Sequence, residues 1–254
     1  MKDLPESELE RLLQLLRSGR HPKLMSKVPG RVGPEDTDVF TRRLDDPNPL
    51  VVRVVIGILF EIDAKRAVER IAPALKHPDE SVRLLAANRM LEHGDADAAR
   101  LFIPLLGESS RRLLDISLQF FARHVTPEAF EHLVSLTAQR RFRGLDRRRQ
   151  QLAFEALLSA APVQGVEYLQ TKVLRRAFCL DRNSRVKKIA AISALRIVDT
   201  DDALALLLKF ATRRGGPLAL AARRAIELRQ QAVRSTQQDG AAGKGGSTLE
   251  VTRS

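Results

Sequence analysis

The sequence has few of the residues that build covalent cross-links, metal sites or aromatic pockets. Its 254 residues include one Cys, one Tyr and no Trp. A single cysteine, Cys179, excludes an intramolecular disulfide and a zinc site made of several thiolates. It lies in the apolar run 177–180, which predicts a buried, unreactive thiol. The five histidines include no pair with the spacing of a helical zinc motif. We therefore expect no metal, no cofactor and no catalytic site.

Long apolar stretches are also missing from the sequence. No uncharged run approaches the roughly 18 residues that a membrane-spanning helix needs. Residues 1–6 contain no apolar segment of the kind that a secretory signal requires. Together with the scarcity of cysteine, these features predict a cytoplasmic protein that does not enter a membrane.

Leu and Ala supply most of the apolar content, and they occur in an internal repeat. Two segments superpose at an offset of 31 residues, and the matching pairs are Pro47 and Pro78, Val51 and Val82, Glu61 and Glu92, and Pro73 and Pro104. A third copy begins at Asn183. Two weaker copies occupy 109–136 and 146–174. About five copies therefore account for most of the chain, which is the pattern of a repeat architecture.

Each copy has the pattern of two helices. A polar residue opens the first helix (Asn48, Asp79 or Asn183) and can accept a hydrogen bond from an unpaired amide of the first turn. Apolar residues then recur at helical spacing up to a short turn, and a second Leu-rich helix follows. Neither helix can bury its apolar stripe alone, so stacking of successive copies is expected.

The residues that open two copies resemble a known family. Asp79-Glu80-Ser81-Val82-Arg83-Leu84-Leu85-Ala86-Ala87 and Asn183-Ser184-Arg185-Val186-Lys187-Lys188-Ile189-Ala190-Ala191 are similar to HEAT repeats. The resemblance implies an all-α fold, an α-α superhelix of antiparallel helix pairs, and a role as a scaffold or adaptor. Proteins with similar repeats include alkylpurine DNA glycosylases and bilin lyases, so the resemblance leaves an enzyme open.

The ends of the chain differ from the repeats. Residues 1–19 are predicted to form an N-terminal capping helix with its leucines on one face. Residues 20–35 form a basic loop rich in Pro and Gly, and the repeat solenoid covers 36–231. Residues 232–254 are rich in Gly, Gln, Ser and Thr with little to bury, which predicts a disordered C-terminal tail.

Positive charge is concentrated in the C-terminal half of the solenoid. Residues 1–136 carry 20 Lys and Arg against 21 Asp and Glu, whereas residues 137–234 carry 21 against 8. The excess lies at the predicted turns between successive repeats. We call this set the basic edge; its members are Arg140, Arg141, Arg143, Arg147, Arg148, Arg149, Arg175, Arg176, Arg182, Arg185, Lys187, Lys188, Arg213 and Arg214.

Equivalent turns of stacked repeats lie along one side of a solenoid, so the basic edge is predicted to form a continuous ridge. Arg is suited to bidentate contacts with carboxylate or phosphate. We therefore predict a non-catalytic scaffold that binds an acidic protein partner along this ridge. The alternative is a nucleic-acid-binding protein, with a DNA glycosylase as one form of it. The sequence leaves open the oligomeric state and whether the solenoid bends near 137–147.

Overall fold

The computed structural model describes residues 37–175 and 182–242, with side chains described to residue 235. The predicted capping helix, the loop at 20–35, Arg176, Cys179 and the tail beyond residue 242 lie outside these ranges. Every regular element within the described ranges is a helix. The chain divides between His124 and Val125 into two compact units. This boundary lies before residues 137–147, the segment at which the sequence allows the solenoid to bend.

The first unit consists of helices that pack in chain order. Its helices are α1 (Thr37–Thr41), α2 (Pro49–Arg70), α3 (Glu80–His93), α4 (Ala99–Phe102) and α5 (Arg111–Arg123). Helix α2 packs on α3, and α3 packs on α5. Two of the three predicted caps are present: the Asn48 side chain accepts a hydrogen bond from Leu50 N, and the Asp79 side chain accepts one from Ser81 N. The third prediction is wrong, because Asn183 lies inside the helix Arg182–Ala194 and does not open it.

Helix α2 is itself a helix pair. Asp63 leaves the helical conformation, with φ −156° and ψ 94°. Its carboxylate accepts hydrogen bonds from the backbone amides of Lys65 and Arg66, both at 3.1 Å, and these bonds start the second helix of the pair. Ala161, in the second unit, has nearly the same conformation, with φ −150° and ψ 87°. The turn inside a repeat is therefore built in the same way at both places.

The period of 31 residues in the sequence corresponds to a physical contact between neighbouring repeats. In the first unit, His77 Nε2 lies 3.4 Å from Asp46 O, and Arg100 Nη2 donates to Glu69 Oε1 at 3.2 Å. In the second unit, the hydroxyl groups of Thr137 and Tyr168 lie 2.7 Å apart. Each pair is separated by 31 residues, so residues one repeat apart contact each other. This confirms the predicted helical-repeat stacking within each unit.

The second unit contains two further helix pairs between a first and a last helix. Its helices are α6 (Phe130–Ala138), α7 (Arg147–Ala160), α8 (Pro162–Tyr168), α9 (Arg182–Ala194), α10 (Asp201–Ala211) and α11 (Pro217–Ala242). A 3-10 turn, Arg140–Gly144, joins α6 to α7, and a π-helical turn, Leu169–Val173, extends α8. Helix α7 packs on α9, and α9 and α10 pack on α11.

The predicted start of the disordered tail is wrong. Helix α11 continues to Ala242, eleven residues past the predicted end of the solenoid at 231. The residues 229–234 are Arg, Gln, Gln, Ala, Val and Arg, which include several good helix formers and no Pro or Gly. Low hydrophobicity predicts disorder because little apolar surface can be buried. An exposed extension of a helix that is already packed depends on the helix propensity of its residues more than on burial.

Candidate functional site

The turn between α6 and α7 concentrates exposed arginines. Arg140, Arg141 and Arg143 lie in the 3-10 turn, and Arg147 and Arg148 are the first two residues of α7; all five are exposed. We call these five residues the arginine cluster. Between them lies Phe142, which is fully buried and packs edge-to-face on Phe154 at 5.5 Å. The turn is therefore fixed to the core by its one apolar side chain while its charges face outward.

Gln150 on α7 holds the backbone of this turn. Its side chain is fully buried. The amide nitrogen Nε2 donates to the carbonyl oxygens of Phe142 at 3.1 Å, Arg143 at 3.4 Å and Leu145 at 2.9 Å. Carbonyl oxygens only accept hydrogen bonds, so these partners define the orientation of the amide. One side chain thus closes the turn that carries three arginines of the cluster.

Lys187 fixes the same turn from the neighbouring helix α9. Its Nζ donates to Thr137 O at 2.8 Å and lies 5.3 Å from the centre of the Phe142 ring. Burial lowers the pKa of the Lys187 ammonium, and the nearby charge of Arg143 lowers it further. Lys187 therefore makes an internal contact at the C-terminal end of α6, where the helix dipole favours a positive charge. The contact also places the start of α9 beside the arginine cluster.

Lys188, another predicted member of the basic edge, is buried rather than exposed. Only 4% of its surface is accessible. Its Nζ has no hydrogen-bond partner among the described residues. Consecutive residues of a helix point about 100° apart, and on α9 this rotation directs Lys188 into the core. Lys188 cannot contact a partner in this conformation.

The remaining members of the basic edge have different surroundings. Arg175, Arg182, Arg185 and Arg214 are exposed. Arg149 is half-buried and pairs with Asp146, and the guanidinium of Arg213 lies 4.5 Å from the centre of the Phe210 ring. No hydrogen bond or ring contact in the described part of the chain joins Arg213 or Arg214 to the arginine cluster. The structure therefore brings together the turn 139–149 and the start of α9.

Four members of the arginine cluster have no acidic partner in the described structure, unlike several arginines elsewhere in it. Arg66 pairs with Asp63 at 3.5 Å, and Arg196 pairs with Glu155 at 2.8 Å. By contrast, no carboxylate among residues 37–175 and 182–235 pairs with four of the cluster members, which are Arg140, Arg143, Arg147 and Arg148. The one acidic residue in the turn, Asp146, forms an ion pair with Arg149. The positive charge of these four arginines is therefore not neutralised by an ion pair in the described structure.

Asp146 also caps the N-terminus of α7, and this role predicts how the stability of the fold depends on pH. Its side chain accepts a hydrogen bond from Arg149 N at 3.0 Å. This bond, together with the Arg149 charge, lowers the pKa of Asp146 below its ordinary value of 3.8, although partial burial opposes the shift. A depressed pKa in the folded state means that the carboxylate stabilises the fold above pH 3.8, and that this contribution is lost as pH falls through the folded-state pKa.

Replacing Asp146 with Asn is expected to lower the free energy of unfolding at neutral pH. Asn keeps an oxygen that can cap the helix but loses the charge opposite Arg149. The deficit should shrink as the pH falls below 3.8, as measured by urea unfolding across acidic pH. The exposed Asp45 provides a control through Asp45→Asn. A deficit that is constant with pH would contradict the assignment of the pKa shift.

Two further properties of the described part of the chain concern other kinds of site. Among residues 37–175 and 182–235, no three His, Cys, Asp or Glu side chains come close enough to hold a metal ion. None of the helices described above combines the length and apolar content that crossing a bilayer requires. The clearest chemical feature of this part of the chain is therefore the arginine cluster.

Comparison with known families agrees with the fold. Residues 37–119 match the family model of HEAT repeats. This matched part of the chain is built of HEAT repeats. No characterised protein matches the chain in sequence. The matched residues lie in the first unit, whereas the arginine cluster lies in the second. HEAT repeats form helical scaffolds that present interaction surfaces, and their repeat motif specifies the fold far better than the partner.

Sequence reasoning missed the residues that hold the turn at 139–145 in place. Gln150 follows three arginines, so the sequence suggests that it lies on the solvent-exposed first turn of the helix. A signal is nevertheless present, because Gln150 occupies the same face as Ala153, Phe154 and Leu157, all of which are buried. A polar residue within an apolar register marks a buried hydrogen-bonding role.

Proposed function

We propose that this HEAT-repeat protein is a non-catalytic scaffold that captures an acidic segment of a partner protein on the arginine cluster. The observation that carries the proposal is that five exposed guanidinium groups project from one turn whose backbone is held by Gln150 and Lys187. Four of them lack a carboxylate partner in the described structure. Such a surface attracts and orients a negatively charged partner at long range.

The aromatic residues of the second unit favour a protein partner over a nucleic acid. Binding of unpaired bases relies on exposed aromatic rings for stacking. Phe142, Phe154 and Phe210 are buried, and the Tyr168 hydroxyl is bonded to Thr137. Phe178 lies outside the described residues. The phosphate backbone alone needs only cations, so nucleic acid enters the test below as a competing outcome.

Charge reversal of Arg147 and Arg148 is expected to weaken capture of an acidic probe about tenfold or more. The probe is a fluorescein-labelled glutamate peptide of about 20 residues, long enough to cover a turn and a helix start. Binding to the full chain is measured by fluorescence anisotropy. The variant Arg147→Glu/Arg148→Glu places acids in the first turn of α7, where negative charge suits the helix dipole, so folding should persist.

The chain offers a closely matched control for this variant. Arg111 and Arg112 are the first two residues of α5, both are exposed, and they follow the capping residue Ser110 just as Arg147 and Arg148 follow Asp146. The variant Arg111→Glu/Arg112→Glu changes the net charge by the same amount and should leave binding nearly unchanged. Equal losses in the two variants would refute a localised site. Tighter, salt-sensitive binding of a labelled duplex DNA would replace the proposal with the nucleic-acid alternative.

A further inference from the structure

The arginines and lysines of the basic edge differ in their exposure to solvent. Every exposed cation of the edge is an arginine, whereas the two lysines of the edge are turned inward. Lys187 donates to Thr137 O and Lys188 is buried. The lysines in the rest of the described chain are all exposed; they are Lys65, Lys76, Lys172 and Lys209. The surface offered at the edge therefore consists of guanidinium groups alone.

A guanidinium surface selects its ligands by shape as well as by charge. The planar guanidinium presents parallel N–H groups that match the two oxygens of a carboxylate or phosphate, while an ammonium is a point charge without this geometry. Exchange of Arg for Lys keeps the net charge but removes the paired hydrogen bonds. The two residue types are therefore interchangeable for electrostatic attraction and different for bidentate binding.

The structure also fixes the positions from which these groups extend. The turn at 139–145 is tied to α7 through Gln150 and to the core through Phe142. Lys187 on α9 lies over the Phe142 ring and donates to Thr137 O at the end of α6. A fixed backbone lowers the entropy lost when the side chains engage a ligand. A surface that worked through net charge alone would gain nothing from a turn held in this way.

We infer that the arginine cluster is a carboxylate-recognition site, which binds an acidic peptide segment through bidentate pairing of guanidinium groups with closely spaced carboxylate groups. The inference rests on the proposed function and specifies its partner: a protein segment with several Asp or Glu side chains in succession. It assigns recognition to the geometry of the guanidinium groups and not to the sum of positive charge.

The test replaces arginine by lysine at constant charge. The variant Arg140→Lys/Arg143→Lys/Arg147→Lys/Arg148→Lys removes bidentate donors from the four cluster members that lack a carboxylate partner. Two labelled peptides serve as probes, one with glutamates and one with half as many phosphoserines, so that their total charges are similar. The glutamate peptide should bind the lysine variant about tenfold more weakly than the unmodified protein. A loss with the phosphoserine peptide alone would overturn the inference.

The control is Arg111→Lys/Arg112→Lys on α5, and circular dichroism checks that all variants keep their helix content. Equal affinity of the lysine variant and the unmodified protein would overturn the inference. In that case the charge-reversal variant still tests the proposed function by itself. Weaker peptide binding by Arg147→Glu/Arg148→Glu would then indicate a site that acts through charge alone. If neither peptide binds the unmodified protein, both proposals are wrong. Preference for duplex DNA over both peptides also overturns the inference.

Discussion

Replacement of Gln150 by Leu is expected to lower the free energy of unfolding by about 3 kcal/mol, because the carbonyl oxygens of the 139–145 turn lose their donor. Leu has a similar volume, so packing changes little. The Gln150 side chain is fully buried, and water cannot replace the lost hydrogen bonds without opening the turn. Urea unfolding of the full chain, followed by circular dichroism, measures the difference.

The adjacent glutamine provides the control for this variant. Gln151 is half-buried, and its Nε2 donates to Glu155 Oε1 at 2.9 Å within the same helix. The variant Gln151→Leu should cost about 1 kcal/mol or less, since the Glu155 carboxylate keeps its ion pair with Arg196. Similar costs at the two positions would show that Gln150 has no special role in the turn.

The Gln150 variant also links the stability of the turn to the proposed binding site. Once the turn loosens, Arg140, Arg141 and Arg143 no longer extend from a fixed backbone. Affinity for the acidic peptide should therefore fall in Gln150→Leu even though no charge has changed, and it should stay the same in Gln151→Leu. The fall should be greatest for bidentate ligands, because they depend most on preorganised donors.

The sequence predicted the features of the fold that depend on repetition. Pro47 and Pro78, or Asn48 and Asp79, recur because each repeat needs the same turn and the same cap, and the structure has both where they were expected. A signal that occurs several times in one chain is easily distinguished from chance. The 31-residue contacts, such as that between Arg100 and Glu69, follow directly from this period.

The surface could be predicted only in part, because it depends on the direction of individual side chains. The sequence located the charge excess at the turns but assigned every cation there to the outside. Lys187 and Lys188 are neighbours in the sequence and have different roles in the structure, one as an internal donor and one as a buried cation. The rotation of α9 about its axis decides between these roles, and packing on α7 and α11 sets that rotation.

Replacement of Lys188 by Met is expected to raise the free energy of unfolding by about 2 kcal/mol, because a buried ammonium without a hydrogen-bond partner is costly. Met has a side chain of similar length that needs no partner and adapts to irregular cavities. Most substitutions destabilise a protein, so a gain of this size would be a specific result. Thermal and urea unfolding of the full chain both measure it.

The exposed Lys209 on α10 is the matched control, and Lys209→Met should change stability by about 0.5 kcal/mol at most. Since Lys188 does not reach the surface, its replacement should also leave binding of the acidic peptide nearly unchanged, unlike any substitution in the arginine cluster. A loss of stability in Lys188→Met would instead mean that the ammonium makes a favourable contact. A marked loss of peptide binding would show that Lys188 contributes to the binding surface. It would contradict the conclusion that the lysines of the basic edge are internal and its arginines external.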